Sequence, residues 1–149
     1  MSRKPKILCV DDKIENVRIR AMLLEQFGCE AVIASDHNSA LRACTENSID
    51  LAVLDYHLAR GENGEDLARD LRVMYPKLPL IMLTGDPELP GSAAETVDAV
   101  LVKGQCNPRV LLDIIEQLLL NATLAARPPM SVSRLENPKQ EIRKRGKSR

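Results

Sequence analysis

The stretch IDLAVLDYHLARGENG, residues 49–64, carries the strongest fold signal in the sequence. An almost unbroken apolar run ends on the carboxylate of Asp55, and a histidine and a loop with two glycines follow. A carboxylate at the end of a hydrophobic strand loses solvation free energy unless a cation meets it. The rest of the chain must therefore bring a cation to Asp55, or Asp55 is an ordinary solvated strand end.

Similar apolar runs recur along the chain and alternate with amphipathic segments. The runs typical of strands are 6–10, 30–35, 50–55, 78–85 and 99–104. The helical patterns are 16–28, 36–47, 64–76 and 107–126, with a short helix at 92–97. Continuous apolar strands are buried on both faces, which is typical of parallel sheets covered by helices on either side. The pattern predicts an α/β fold, a (βα)5 doubly wound parallel sheet.

Local signals support the helix assignments. Gly28 suits the end of the first helix, Asp36 the start of the second, and Asn107 the start of the last, where Pro108 follows at the first helical position. In the first helix the spacing predicts an inward face, made of Val17, Ala21, Leu24 and Phe27.

Composition excludes several classes of protein. A chain of 149 residues suits one domain, and aromatic residues at 2% with no Trp disfavour base stacking on nucleic acid. The cysteines are far apart, which favours free thiols over a metal site or disulfides: Cys9, Cys29, Cys44 and Cys106. No signal-peptide core and no apolar stretch of membrane-spanning length occur, so the sequence predicts a cytoplasmic protein without a membrane span.

The charge is unevenly distributed although the net charge is zero. Residues 1–127 contain 14 basic and 19 acidic residues, whereas residues 128–149 contain seven basic and two acidic ones. The second segment also has three prolines and no sustained period, so it is predicted to be a flexible basic tail after a folded domain at 1–127. A solubilising tail or linker is favoured over a nucleic-acid or membrane contact.

Chemically active side chains stand at the carboxyl ends of four of the predicted strands. They are Asp11, Asp12, Asp55, Thr84 and Lys103. Each alone has an ordinary explanation as a turn or surface residue, but parallel strands bring their carboxyl ends to one edge, where ligands bind. Clustered carboxylates suit Mg²⁺, and a carboxylate beside that ion can accept a phosphoryl group. An ammonium and a hydroxyl can share the phosphoryl charge.

The segments ILCVDD, LAVLDYHL, LIMLTG and VLVKG, in this order and spacing, resemble the receiver domain of two-component response regulators. The resemblance covers residues 6 to 124. It implies a flavodoxin-like fold with strand order 2-1-3-4-5, and a phosphorelay role in which Asp55 becomes an aspartyl phosphate. It also implies that Mg²⁺ is held by Asp11, Asp12, Asp55 and the backbone carbonyl of His57.

The same resemblance assigns the remaining site residues and the partners. Thr84 would hydrogen-bond a phosphoryl oxygen and Lys103 would pair with it. The phosphodonor would be a sensor histidine kinase or a phosphotransfer protein. Since only the tail follows the last helix, we expect a signalling protein, not an enzyme, that lacks an output domain and contacts a downstream protein. The apolar surplus on helix 107–126 indicates either a partner or homodimer surface or a deeply buried helix.

The sequence departs from the family at positions that transmit the signal. Gly104 replaces the usual proline after the lysine, and Leu101 replaces the usual aromatic residue two positions before it. The loop after Asp55 has Ala59 where proline is common and reaches Gly64 one residue late. The segment between the threonine and the lysine is short, so the fourth helix is expected to be stunted.

Two alternatives stay open. A degenerate receiver would act as a scaffold without phosphorylation, which the altered signal-transmitting positions favour. An aspartyl-nucleophile phosphohydrolase of the haloacid-dehalogenase type would need a second carboxylate two residues after Asp55, where His57 stands. His57 itself is expected to be a loop side chain that, with Asp86, adjusts the access of water to an acyl phosphate.

Overall fold

The structure is a computed structural model that describes residues 3–86, 88–104 and 107–126. The predicted tail at 128–149 and Cys106 lie outside the described residues. The other three cysteines are free thiols, as predicted.

Five strands alternate with five helices. The strands are β1 (Lys6–Val10), β2 (Glu30–Ala34), β3 (Leu51–Asp55), β4 (Leu80–Thr84) and β5 (Ala99–Val102). The helices are α1 (Ile14–Gln26), α2 (His37–Glu46), α3 (Gly64–Met74), α4 (Gly91–Thr96) and α5 (Pro108–Ala126). Every predicted element is present, and α4 has only six residues, as the short segment before β5 implied.

The strands form one sheet in the order β2-β1-β3-β4-β5, with every neighbouring pair parallel. This is the predicted strand order. All residues of β3 and β4 are buried, whereas the edge strands β2 and β5 are only partly buried. The continuous apolar runs therefore mark the centre of the sheet, where both faces are covered.

Two apolar layers sandwich the sheet. Leu8, Val10 and their neighbours face α2 and α3, while Ile7 and Cys9 face α1 and α5. Successive residues of one strand thus serve opposite layers, which is the alternation that a pleated strand imposes. The carboxyl ends of the strands remain clear of these layers, and the polar side chains collect there.

The predicted helix ends are confirmed where the structure describes them. Asp36 accepts a hydrogen bond from the Ser39 amide at 2.7 Å in a capping box, and these bonds lower the pKa of Asp36. Asn107 accepts from the Val110 amide at 3.1 Å. Gly28 has φ of +85°, the left-handed conformation that commonly ends a helix.

The inward position predicted for Phe27 is wrong. Val17, Ala21 and Leu24 are buried as predicted, but Phe27 is 53% exposed. The reason is that α1 ends at Gln26 and the backbone of Phe27 is no longer helical, so its side chain leaves the buried face. The Arg109 guanidinium lies 5.6 Å from the centre of its ring.

Candidate functional site

Four strand ends converge on one edge of the sheet. Asp11 directly follows β1, Asp55 is the last residue of β3, Thr84 is the last residue of β4, and Lys103 directly follows β5. Because the strands are parallel and β1, β3 and β4 are adjacent, their ends lie side by side. The topology itself brings the predicted residues together.

Lys103 is the cation that meets Asp55. The Lys103 ammonium donates to Asp55 Oδ2 at 2.9 Å, and the carboxylate is only 5% exposed. The backbone amide of His57 lies 3.4 Å from the other oxygen, Oδ1. The negative charge of the buried Asp55 carboxylate is therefore compensated by an ion pair with Lys103, as its place at the end of an apolar strand required.

Burial dominates the protonation of Asp55. Desolvation raises the pKa of its carboxyl, the hydrogen bond and charge of Lys103 oppose this rise, and the negative charge of Asp11 adds to it. Among the described residues, the cation that forms an ion pair with this carboxylate is Lys103. A second cation at this point would favour the ionised form.

Asp11 has an oxygen without a hydrogen bond. Its side chain is fully buried, and Oδ1 accepts from the Lys13 amide at 2.9 Å. Oδ2 lacks any hydrogen-bond partner among the described residues, although the Lys103 ammonium lies 3.7 Å away. A buried carboxylate oxygen left in this way is expected to bind an ion or a water.

The three carboxylates fit a hard divalent cation. Asp11, Asp12 and Asp55 each present an oxygen, and these oxygens lie within 4.8 Å of one another. Asp12 is exposed, whereas the other two are buried, so an ion here would be held on one side and hydrated on the other. An all-oxygen set with an open side suits Mg²⁺, which retains several waters.

The profile of the response regulator receiver domain family matches residues 7–116. The chain belongs to this family. The match spans all five strands and the four strand ends described above. Receiver domains of two-component systems bind Mg²⁺ at an acidic cluster, and the three aspartates form such a cluster here.

Known proteins are similar to this chain in structure or in sequence. The receiver domain protein (CheY-like) from Methanospirillum hungatei superposes with a TM-score of 0.75 at 27% identity, covering 84% of this chain and all of the other. The autoinducer sensor kinase/phosphatase CqsS of Vibrio cholerae is 30% identical over 122 residues, 80% of this chain and 17% of its own. The transcriptional regulatory protein PhoP of Bacillus subtilis is 35% identical over 83 residues. The match covers 56% of this chain and 34% of PhoP. The chain thus spans about a third of PhoP and about a sixth of CqsS.

The Thr84 hydroxyl forms two hydrogen bonds with the backbone of the loop after β4. Thr84 is fully buried, and its hydroxyl accepts from the Asp86 amide at 3.0 Å and donates to the Asp86 carbonyl at 3.2 Å. These bonds tie the residues after β4 to the strand end. A hydrogen bond that Thr84 donates to a ligand would replace its bond to the Asp86 carbonyl.

The loop after Asp55, where the sequence predicted one extra residue, contains a tight turn. Arg60 and Gly61 both have left-handed backbone conformations, with φ of +59° and +74°, and a bridge between His57 and Asn63 closes the loop. The His57 side chain is exposed. Leu58 is buried and anchors the loop to the apolar layer under α2 and α3.

Two residues near the end of β5 were predicted to depart from the family pattern, Leu101 and Gly104. Gly104 has φ of +81°, a left-handed conformation that proline cannot adopt. Leu101 is buried in the layer under α1 and α5.

In the part of the chain that the structure describes, no helix is both long and apolar enough to cross a membrane.

One residue at the site was missed by sequence reasoning. Arg20 of α1 directs its guanidinium at Asp11, with Nη2 3.5 Å from Oδ2. The available signal was its spacing, since Arg20 is three residues after Val17 and four before Leu24, both of which are buried. A charged residue on the inward face of a helix calls for a partner.

Proposed function

We propose that this receiver accepts a phosphoryl group on Asp55, in a reaction that depends on Mg²⁺. The observation that supports this most directly is the buried ion pair of Asp55 and Lys103, beside an Asp11 oxygen that lacks a hydrogen bond. It combines a nucleophilic carboxylate, a fixed cation and a buried acidic oxygen that can serve as a metal ligand at one strand edge.

The transfer forms one bond and breaks another. A carboxylate oxygen of Asp55 attacks the phosphorus of the donor, and the bond from phosphorus to the leaving group breaks. The leaving group departs with the bonding electrons and takes a proton from solvent. Lys103 stays near the reacting oxygen, where its charge balances the negative charge on the transferred group.

The Mg²⁺ ligands would come from this chain's own acidic edge. Asp11, Asp12 and Asp55 would supply carboxylate oxygens, and the backbone carbonyl of His57 would complete the protein ligands. The bound ion would neutralise the charge of the incoming phosphoryl oxygens. Thr84 would exchange its bond to the Asp86 carbonyl for one to a phosphoryl oxygen, which couples the site to the loop after β4.

The partners follow from the same chemistry. A sensor histidine kinase or a phosphotransfer protein would donate the phosphoryl group, and the receiver would act on a downstream target by protein contact. Leu120 and Leu124 are exposed on α5, which supports a contact surface or a homodimer at this helix. We propose domain limits of 1–127 for the receiver and 128–149 for a basic tail.

Incubation with acetyl phosphate tests the proposal. The wild-type protein with Mg²⁺ is expected to gain one phosphoryl group by intact-mass spectrometry, whereas the Asp55→Asn variant and a sample in excess EDTA gain none. Asp113→Asn is the matched control, since Asp113 is an exposed carboxylate on α5. Its labelling should equal that of wild type.

Two other results would each indicate a different function. A wild-type protein that stays unmodified while a known receiver is labelled would indicate a scaffold. Continued release of phosphate from an ester, with many turnovers for each protein molecule, would indicate a phosphohydrolase.

A further inference from the structure

Arg20 lies under the acidic edge of the sheet. Its side chain is only 12% exposed, and its guanidinium approaches the buried Oδ2 of Asp11 from the α1 side. The Lys103 ammonium lies 3.7 Å from the same oxygen. Asp11 thus has two cations close to one oxygen, and neither makes a hydrogen bond to it within the described residues.

The burial of Arg20 is incompletely compensated. Its Nη1 is buried without a hydrogen-bond partner among the described residues. A guanidinium in this position depends on the Asp11 carboxylate, because no other acidic group forms an ion pair with it in the described chain.

Arg20 adds positive charge beside the carboxylates that a metal ion would bind. Asp11, Asp12 and Asp55 face two cations, Lys103 and Arg20. Arg20 already offsets the carboxylate that is most deeply buried. A divalent cation that binds Asp11 must share it with Arg20 and is repelled by the guanidinium through a medium that screens poorly.

We propose that Arg20 is an internal counter-ion that competes with Mg²⁺ for Asp11 and thereby weakens Mg²⁺ binding by this receiver. The inference rests on the proposed Mg²⁺ site. Arg20 is a positioning residue here, because it acts through Asp11 and does not touch the phosphoryl group. Its effect is on how readily the receiver is loaded with metal, and so on the Mg²⁺ concentration at which phosphorylation becomes possible.

Isothermal titration calorimetry with MgCl₂ at constant ionic strength tests this. Arg20→Met is expected to bind Mg²⁺ about tenfold more tightly than wild type, given the strength of a poorly screened charge pair. Arg18→Met is the matched control, since it removes the same charge from an exposed position of the same helix. It should bind within about twofold of wild type, because an exposed charge is screened. Arg20→Lys retains the charge and should stay close to wild type.

The outcomes separate this inference from the site on which it rests. Equal affinities for Arg20→Met and Arg18→Met, or weaker binding by Arg20→Met, would overturn the competition while leaving the Mg²⁺ site intact. The Asp12→Asn variant tests the site itself. Mg²⁺ binding that does not weaken in Asp12→Asn would overturn both.

A measurement on the wild-type protein covers the case in which Arg20→Met does not fold. The Arg20 Nε–H signal, assigned by its absence from the spectrum of Arg20→Lys, is followed by NMR as MgCl₂ is added. The signal is expected to move until the site is saturated. A signal that stays fixed while backbone amides near Asp11 shift would contradict the proposal.

Discussion

The Asp55 carboxylate is held in a place that disfavours its ionised form. Its carboxylate is buried at the end of a central strand, and burial raises its pKa even though Lys103 binds it. The folded protein therefore retains the Asp55 proton to a higher pH than the unfolded chain does. The ionised form at neutral pH is less stable in the folded state than it would be in water, until a cation arrives.

The Asp55→Asn variant tests this disadvantage in metal-free buffer. The pKa of Asp55 is raised on folding, so its destabilising effect grows as the pH rises from the ordinary aspartate pKa of about 3.9 through the folded value. Asparagine does not ionise, and Asp11 remains near Lys103. Urea denaturation should therefore give Asp55→Asn a higher midpoint than wild type at pH 7, with the difference shrinking toward pH 4. A variant less stable than wild type at pH 7 would contradict the account.

At the scale of elements, the joint between β3 and α3 depends on one glycine. Gly64 is buried at the start of α3, and its amide donates to the Tyr56 carbonyl at 2.6 Å. A Cβ at this position would collide with the Asp55 carbonyl oxygen and lie 2.9 Å from the Met82 sulfur. The backbone oxygen cannot move without shifting Asp55 itself, so the helix can approach the site only with glycine here.

We expect Gly64→Ala to destabilise the protein by about 3 kcal/mol or more, the range of substitutions that force a backbone shift. The control is Gly91→Ala, since a Cβ at Gly91 meets nothing within 4 Å. It should change the free energy of unfolding by no more than about 0.5 kcal/mol. Urea unfolding of both variants measures the difference. Equal stabilities would show that the joint between β3 and α3 is not close-packed.

A second joint connects α3 to the strand and helix that follow it. The Arg72 guanidinium donates to four acceptors beyond its own helical turn: the carbonyls of Pro76, Leu78 and Thr96 and the carboxylate of Asp98. Asp98 also accepts from the Leu80 amide at 2.8 Å, at the start of β4. One side chain thus holds the end of α3, the start of β4 and the end of the short α4 together.

Replacing Arg72 with alanine should reduce the free energy of unfolding by about 2 kcal/mol, because several partly buried acceptors lose their donor. Arg72→Lys should recover little of this loss, since an ammonium cannot reach all the acceptors that the planar guanidinium bridges. Arg69→Ala serves as the control, because Arg69 is exposed and its ion pairs in the described chain are with Glu65 and Asp66 of its own helix. If thermal unfolding shows equal losses for Arg72→Ala and Arg69→Ala, the joint is not a stabilising element.

At the scale of the whole molecule, sequence and topology together predict most of the site. The apolar runs that end at Asp55 and Thr84 do not alternate with polar residues, which indicates strands of a parallel sheet that are buried on both faces. The structure shows this burial for β3 and β4. Once the sheet is parallel, the side chains that follow its strands must share an edge. The ion pair between Asp55 and Lys103 follows from that placement, although 48 residues separate them.

What the sequence does not predict depends on contacts between elements. Arg20 has the charge of a surface residue, and only its spacing from Val17 and Leu24 indicates its burial. Phe27 follows the helical period, but the helix has ended before it. The left-handed turn at Arg60 and Gly61 in the loop after Asp55 has no clear signal in the sequence.

Chemical trapping can locate the phosphoryl acceptor of this receiver, which we propose is Asp55. After incubation with Mg²⁺ and acetyl phosphate, borohydride reduces an aspartyl phosphate to homoserine, which peptide mass spectrometry locates in the chain. The account predicts homoserine at position 55 and none at Asp11 or Asp12, with no conversion when Mg²⁺ is withheld. Homoserine at another position, or an unreduced Asp55 in protein that carries a phosphoryl group, would contradict it.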